Sequence, residues 1–435
     1  MFNALFTKTE EYNKLAQALG SPGACALFGV PGAGRALIYA ALAQTLGRPL
    51  CIVTPGEAEA TRFAGDLNAL GITAAVFPAR DYVLRPIEGT GREYEYRRLA
   101  VLGDLVGGRL QAVCVPDEGL TQYTTPRAEF CANTRTLHPG DTLPRAELTA
   151  LLYGAGYARR DQVDGPGQFS IRGDIVDIYA PDMKQPARLE FWGDEIDTMH
   201  SFDLATQRRD EPIEKIYVSP AREVLFAQPA EAAALIRSCI KKARGKRRTA
   251  LEACTAADLA QLDGGAMPVD MDKYLTLRYP EPATLLDYFD DPLLILEEPA
   301  SLREAARATD YRRGEEFSAL MEDGALAPGL DKLYTEAGWL WAQAAAHCTL
   351  CAENFARSMP DIPLKAIVNA PAHTLPAWGG EVAALLEDIQ PLCSGGAAVT
   401  VMAGTPRAAA GLAADLRTRG LQVTTDAAAA GTAGL

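Results

Sequence analysis

Short apolar runs alternate with longer amphipathic stretches along the first part of the chain. ACALFGV (24–30), PLCIVT (49–54), AAVFP (74–78) and QAVCVP (111–116) are apolar runs of strand length. Between them, RALIYAALAQTL (35–46) and GEAEATRFAGDLNAL (56–70) read as helices, the second ended by Gly71. Strands alternating with helices predict a parallel α/β sheet, and residues 1–126 are expected to form one such domain.

The pattern changes near Pro126. FSIRGDIVDIYAP (169–181) and ARLEFWGDEIDTMHSFDL (187–204) alternate apolar and polar residues and are punctuated by Gly, Pro and Asp. With one helix, PRAELTALLYGAGY (144–157), residues 127–222 predict a compact α+β domain built on antiparallel strands. From 223 to 357 helical stretches return: EAAALIRSCIKKA, TLLDYFDDP, SLREAARATDYRRGEEFSALM and WLWAQAAAHCTLCAENFA, with a strand at PLLIL. The simplest architecture is an α/β domain split by an inserted domain. Residues 358–376, with several prolines, read as a linker. AAVTVMAG (397–404), a helix (406–419) and LQVTTD (421–426) predict the start of a small α/β domain over 377–435, cut short, as in a piece of a longer protein.

Charge narrows the functional classes. Lys and Arg total 42 against 56 Asp and Glu, a net charge of −14. Such a chain repels a phosphate backbone at long range, which argues against a dedicated nucleic-acid grip. The basic run KKARGKRR (241–248) is read as a solvated helix end and loop. No apolar run reaches the roughly 18–20 residues of a membrane span, no signal-peptide layout opens the chain, and the nine scattered cysteines suit reduced thiols; a cytoplasmic protein is expected. Cys348 and Cys351, beside His347, supply too few ligands for a tetrahedral zinc site, so no metal is expected.

GVPGAGRA (Gly29–Ala36) has the glycine spacing of a phosphate-binding loop, G-x-x-x-x-G-K-[ST], between a predicted strand and helix. Gly29, Gly32 and Gly34 could shape such a loop. Arg35 stands at the lysine position, where it could still touch a phosphate, and Ala36 at the hydroxyl position, where it cannot hold Mg²⁺. Glu297 and Glu298, at the end of PLLIL, occupy the place of a degenerate Walker-B pair; the other reading is an exposed acidic strand end. A loop that hydrolyses no nucleotide is expected. In ARLEFW, strand alternation puts Leu189 and Phe191 on one face and Arg188, Glu190 and Trp192 on the other. Arg172 shares the polar face of its own strand with Ser170. An exposed aromatic beside arginine has the composition of an interface hot spot; alternatively, Trp192 plugs an inter-domain core and the arginines are solvated.

Three stretches in order, GQFSIRGDIVDIYAP (167–181), RLEFWGDEID (188–197) and TLLDYFDDPLLILEE (284–298), resemble the nucleotide-excision-repair protein UvrB. With the broken loop and DYVLRPIEGTGREYEYRRLAVL (81–102), the better resemblance is to the N-terminal module of the bacterial transcription-repair coupling factors. UvrB has an intact loop and a long tyrosine-rich hairpin that clamps damaged DNA, whereas Asp81 to Arg97 here is a short bridge holding Tyr82, Tyr94 and Tyr96. The resemblance implies a full protein that binds stalled RNA polymerase, moves along double-stranded DNA with ATP and Mg²⁺, and recruits UvrA. The polymerase-binding domain and the motor would follow the region present here. This module would be non-catalytic and without a cofactor of its own. It would dock UvrA through positions matching Arg172, Arg188 and Trp192, the last an aromatic of a different kind from that expected. In the whole protein it would fold back on the C-terminal part. The alternatives are a UvrB-type damaged-DNA-binding subunit and a stand-alone ATPase or helicase.

Overall fold

The computed structural model describes residues 9–82, 84, 92–268, 270–370, 372, 381–397, 399–401, 403 and 405–425. The ends of the chain, most of the bridge after Tyr82 and parts of 371–380 and 398–404 lie outside the described residues.

Four strands open the chain: β1 (Gly23–Phe28), β2 (Leu50–Thr54), β3 (Ala74–Val76) and β4 (Ala112–Pro116). The insert contributes β5 (Arg135–Leu137), β6 (Ala158–Arg159), β7 (Gln168–Arg172), β8 (Ile175–Tyr179), β9 (Ala187–Trp192), β10 (Glu195–Phe202), β11 (Arg209–Pro212) and β12 (Ile216–Val218). β13 (Leu293–Glu297), β14 (Cys348–Glu353) and β15 (Leu364–Asn369) follow. The outer strands, β1–β4 and β13–β15, form one seven-stranded parallel sheet in the order β15-β1-β14-β13-β2-β4-β3. Its central strands are apolar on both faces because both are covered: Cys25 and Leu27 point into one core, Ala24, Ala26 and Phe28 into the other.

The insert forms a separate six-stranded sheet, β11-β10-β9-β8-β7-β6, antiparallel except for the short β6–β7 pair. One face packs on the helix Arg145–Gly154 through Leu148, Leu152, Phe169, Val176, Leu189 and Phe191. The two connections to the insert lie side by side: the Thr125 hydroxyl donates to the carbonyl of Glu223. A third core gathers the helices Pro229–Lys242 and Gly245–Asp263, the end of the long helix Pro299–Glu322, and Tyr82.

A buried polar knot joins these bodies. The fully buried Arg98, from the helix Glu93–Val106, sends Nε to Glu223 Oε1 at 2.7 Å and Nη1 to Gln122 Oε1 at 2.9 Å and the Pro78 carbonyl at 3.1 Å. Its guanidinium carbon sits 4.1 Å from the Phe77 ring centre. Beside it Arg80 reaches Asp272 at 2.9 Å and Glu95 at 3.4 Å. Every charge here has an opposite partner, as burial requires.

Several expectations are corrected. The stretch 339–356 is not one helix: Trp339–Ala346 is helical, but Cys348–Glu353 is β14, near the middle of the sheet. The expected linker contains β15, which pairs with β1 at the sheet edge; Pro363 precedes it rather than interrupting its ladder. TLLDY forms only a short 3₁₀ turn, Leu285–Tyr288. The C-terminal unit has the helices Val382–Ser394 and Pro406–Thr418 around Leu385, Ile389 and Leu416, but neither 399–401 nor 421–425 forms the expected strand. The basic run is not a helix end with a loop: it ends one helix and opens the next, with only Ala243 and Arg244 between.

Candidate functional site

The phosphate-loop sequence sits where a strand gives way to a helix, as its spacing requires. Gly29 has φ +86°, a conformation that favours glycine, and a side chain at Gly32 would come within 2.9 Å of the Arg62 guanidinium. Yet the helix Gly32–Leu46 starts at the second glycine, so only Gly29–Pro31 stay outside it. The N–H of Arg35 donates to the Pro31 carbonyl at 3.0 Å, inside the first turn.

The Arg35 side chain turns into the protein. Nη1 lies 2.7 Å from Glu297 Oε2 and Nη2 lies 2.7 Å from Glu298 Oε1. Nη1 also donates to the Ala352 carbonyl at 3.1 Å, and the Tyr39 hydroxyl donates to Glu297. The glycine loop, the end of β13 and the end of β14 are thus tied by one guanidinium. Glu297 is buried, which overturns the reading of an exposed acidic strand end. Ala36 is buried as well and offers only a methyl group. Cys348 and Cys351 point into opposite cores, Cys348 with Leu350's neighbours on one face and Cys351 on the other, so they cannot share a metal. No cluster of three metal-ligating side chains occurs among the described residues.

Burial pushes the Glu297 carboxyl up to about 7, against the pull of Arg35 and the Tyr39 hydroxyl. A carboxyl raised in the folded chain binds its proton more tightly there than in the unfolded chain. Its contribution therefore stabilises at low pH and is lost as pH rises through about 7. Glu297→Gln is expected to remove a stability loss on the order of 3 kcal/mol between pH 5 and 8. Unfolding midpoints measured across that range check it; an unchanged slope in the variant refutes it.

The polar face of the inserted sheet is the second candidate. Strand register sets Arg172 beside Ile175, Asp177 opposite Ser170 and Arg188, and Ile175 opposite Glu190. Asp177 is fully buried beneath two arginines. Arg188 grips it with both arms, Nε to Oδ1 at 2.7 Å and Nη2 to Oδ2 at 2.9 Å, while Arg172 Nη2 reaches Oδ2 at 2.6 Å. Arg188 Nη1 donates to the Gln207 carbonyl at 3.2 Å, and its guanidinium lies 4.6 Å from the Phe202 ring centre. The side chain of Arg172 is 45% exposed and that of Arg188 only 12%. Trp192, at the end of β9, is 83% exposed, so it does not plug an inter-domain core. Glu190 pairs with Arg209 from β11 and accepts from Thr198 at 3.2 Å. The face thus joins a large exposed aromatic to a clamped arginine pair. Sequence reasoning had both arginines and Trp192 but not Asp177, whose only sign was its place on the polar side of IVDIY.

A parallel α/β body whose glycine loop is tied to the strand ends by Arg35, carrying an inserted α+β unit built on an antiparallel sheet, defines a two-sheet α/β protein. Residues 136–224 match the family described as the UvrB interaction domain. The chain is similar to proteins named transcription-repair-coupling factor. It is 29% identical over 308 residues to that of Bacillus subtilis (strain 168), covering 68% of this chain and 26% of that protein. It is 32% identical over 302 residues to that of Mycobacterium tuberculosis (strain CDC 1551 / Oshkosh), covering 66% and 24%. Over about two thirds of its length the chain is thus similar to transcription-repair-coupling factors, and a segment of it matches the UvrB interaction domain. It spans about a quarter of the length of the curated relatives it matches. No helix among the described residues is long and apolar enough to cross a membrane.

Proposed function

We propose that this chain is the UvrA-recruiting part of a transcription-repair coupling factor and that it has no ATP chemistry of its own. The observation that carries the reading is Trp192, almost bare at the end of β9, on the polar face of the sheet that also holds Arg172 and Arg188 and that matches an interaction domain. An exposed tryptophan on one sheet face with arginines has the composition of a binding hot spot. In the whole protein, stalled RNA polymerase and double-stranded DNA are further partners, and ATP with Mg²⁺ serves a motor outside this region.

The non-catalytic reading is supported by Arg35, which pairs with both acids that a metal-bound nucleotide would need, and by Ala36, which lacks the hydroxyl. The same pairing disfavours a stand-alone ATPase or helicase. Calorimetric titration of the chain with purified UvrA tests the docking. Trp192→Ala is expected to weaken binding by about 2 kcal/mol or more with an unchanged unfolding midpoint. An intact affinity in that variant, or no binding by the wild type, refutes the reading.

A further inference from the structure

We infer that the basic corner where the helix Pro229–Lys242 turns into the helix Gly245–Asp263 contacts the phosphate backbone of duplex DNA without reading its sequence. The corner lies outside the inserted sheet and does not depend on Trp192. Only the choice of DNA over RNA rests on the proposed function, in which duplex DNA is a partner of the whole protein.

Lys241, Lys242, Arg244, Lys246, Arg247 and Arg248 are all exposed, six cations within eight residues. Of the six, only Arg248 pairs with an acid among the described residues, Glu252 at 2.8 Å. Arg247 leans over Gly329, where a side chain would come within 2.3 Å of its Nη2.

Helix stability does not account for this run. Lys241 and Lys242 end the first helix, where cations suit the negative end of its dipole. Arg244, Lys246, Arg247 and Arg248 stand at the opposite kind of place, the N-cap and first turn of the second helix, where the dipole favours acids and disfavours cations. That turn holds no acid, and no side chain caps it. Ala243 is buried in the third core and Gly245 takes φ +57°, so a short turn holds both groups of cations together. Crowded like charges repel one another in the free chain, and an anion removes that repulsion.

A duplex carries one negative charge per ~1.7 Å of its axis, a regular density that cations spread over two helix ends can meet at several points. Single strands are gripped by stacking their bases on aromatic rings, and neither helix has an aromatic residue. The net charge of −14 repels the duplex away from the corner, so the contact is local and quickly screened by salt.

The test titrates the full chain into a labelled duplex of about 25 base pairs and reads its anisotropy at about 50 and about 200 mM salt. The wild type is expected to bind at the lower salt and to lose most of its affinity at the higher. Lys241→Gln, Lys242→Gln and Lys246→Gln together are expected to lower affinity about tenfold or more at the lower salt, and to flatten the dependence of log affinity on log salt by about three contacts. A control with Lys14→Gln, Lys184→Gln and Lys332→Gln, three other exposed lysines, has the same net charge and is expected to bind as the wild type does. Lys246→Gln alone removes a cation from the first turn, so its urea midpoint is expected not to fall. No binding by the wild type, an equal loss in the control, or a lower midpoint in Lys246→Gln overturns the inference. So does tighter binding of a single strand of equal length or of duplex RNA. Competition by poly-glutamate at equal charge also overturns it, since the corner would then suit an acidic protein. The triple variant is expected to keep wild-type affinity for UvrA; a parallel loss there would place the corner in the docking surface, overturning the inference and leaving the docking reading standing. Binding of the duplex lost in the triple variant and kept in Trp192→Ala supports the corner whatever becomes of the docking reading.

Discussion

Arg98→Ala is expected to cost about 3–5 kcal/mol of stability, the largest loss of any single substitution proposed for this chain. The reason is what it leaves behind. Glu223 is buried and takes its shortest ionic contact from Arg98 Nε, while Gln122 and the Pro78 carbonyl lose a donor. Alanine also vacates the space against Phe77. Arg80 is too far to replace the bond, with its Nε 3.6 Å from Glu223 and its Nη2 already on Asp272. The paired change Arg98→Met with Glu223→Leu removes both charges and is expected to cost less than Arg98→Ala alone, since an apolar pair needs no compensation. Urea unfolding of the three chains measures this. A paired variant worse than Arg98→Ala would show that the knot stabilises beyond charge compensation.

The second large effect falls at the glycine-rich loop. Arg35→Ala leaves Glu297 buried beside Glu298 with only Tyr39 to satisfy it, and is expected to cost about 3 kcal/mol at pH 8. At pH 5 Glu297 is protonated, and the loss is expected to shrink, because a neutral carboxyl tolerates burial. An equal loss at both pH values would mean that the missing packing of Arg35, not its charge, is what counts. Arg35→Lys with Ala36→Thr, which restores the loop motif, is not expected to restore ATP hydrolysis: the loop is already wound into helix from Gly32. Phosphate release above background in that variant would refute this.

The strands that run apolar from end to end, β1, β2, β4 and β13, are legible in the chain because burial on both faces leaves a pattern only a sheet centre makes. β14 is equally buried, but it follows the helix Trp339–Ala346 with no Gly or Pro between, and small residues in AAAHCTLCAE suit either state. β15 hides for the opposite reason: an edge strand needs few apolar positions, and Lys365 and exposed Ile367 dilute its pattern. The proposed docking face is half legible. Alternation in ARLEFW assigns Leu189 and Phe191 to the core and leaves Arg188 and Trp192 outside. What alternation cannot show is register between strands, and register alone brings Arg172, Asp177 and Arg188 together. Arg35 and Glu297 meet for a similar reason, through the parallel order of β1, β14 and β13 rather than through anything local. Arg98 gives no sign at all in a charged stretch such as EYEYRRLAVL, where only packing decides which arginine is buried.

The order of strands also bears on how the chain is made. β1 and β2 are never neighbours; β14 and β13 stand between them, and both are synthesised after the insert. When residue 222 has left the ribosome, the inserted unit has all its strands and can close, whereas the surrounding sheet still lacks its middle. β2, β4 and β3 can pair among themselves, but β1 must wait, lacking both of its neighbours until Glu353 and then Asn369 emerge. Contacts of such long sequence separation form slowly, and strand edges exposed meanwhile invite aggregation. A nascent chain of this design finishes its inserted sheet before its outer one, so chaperone dependence is expected to centre on the outer sheet and spare the insert.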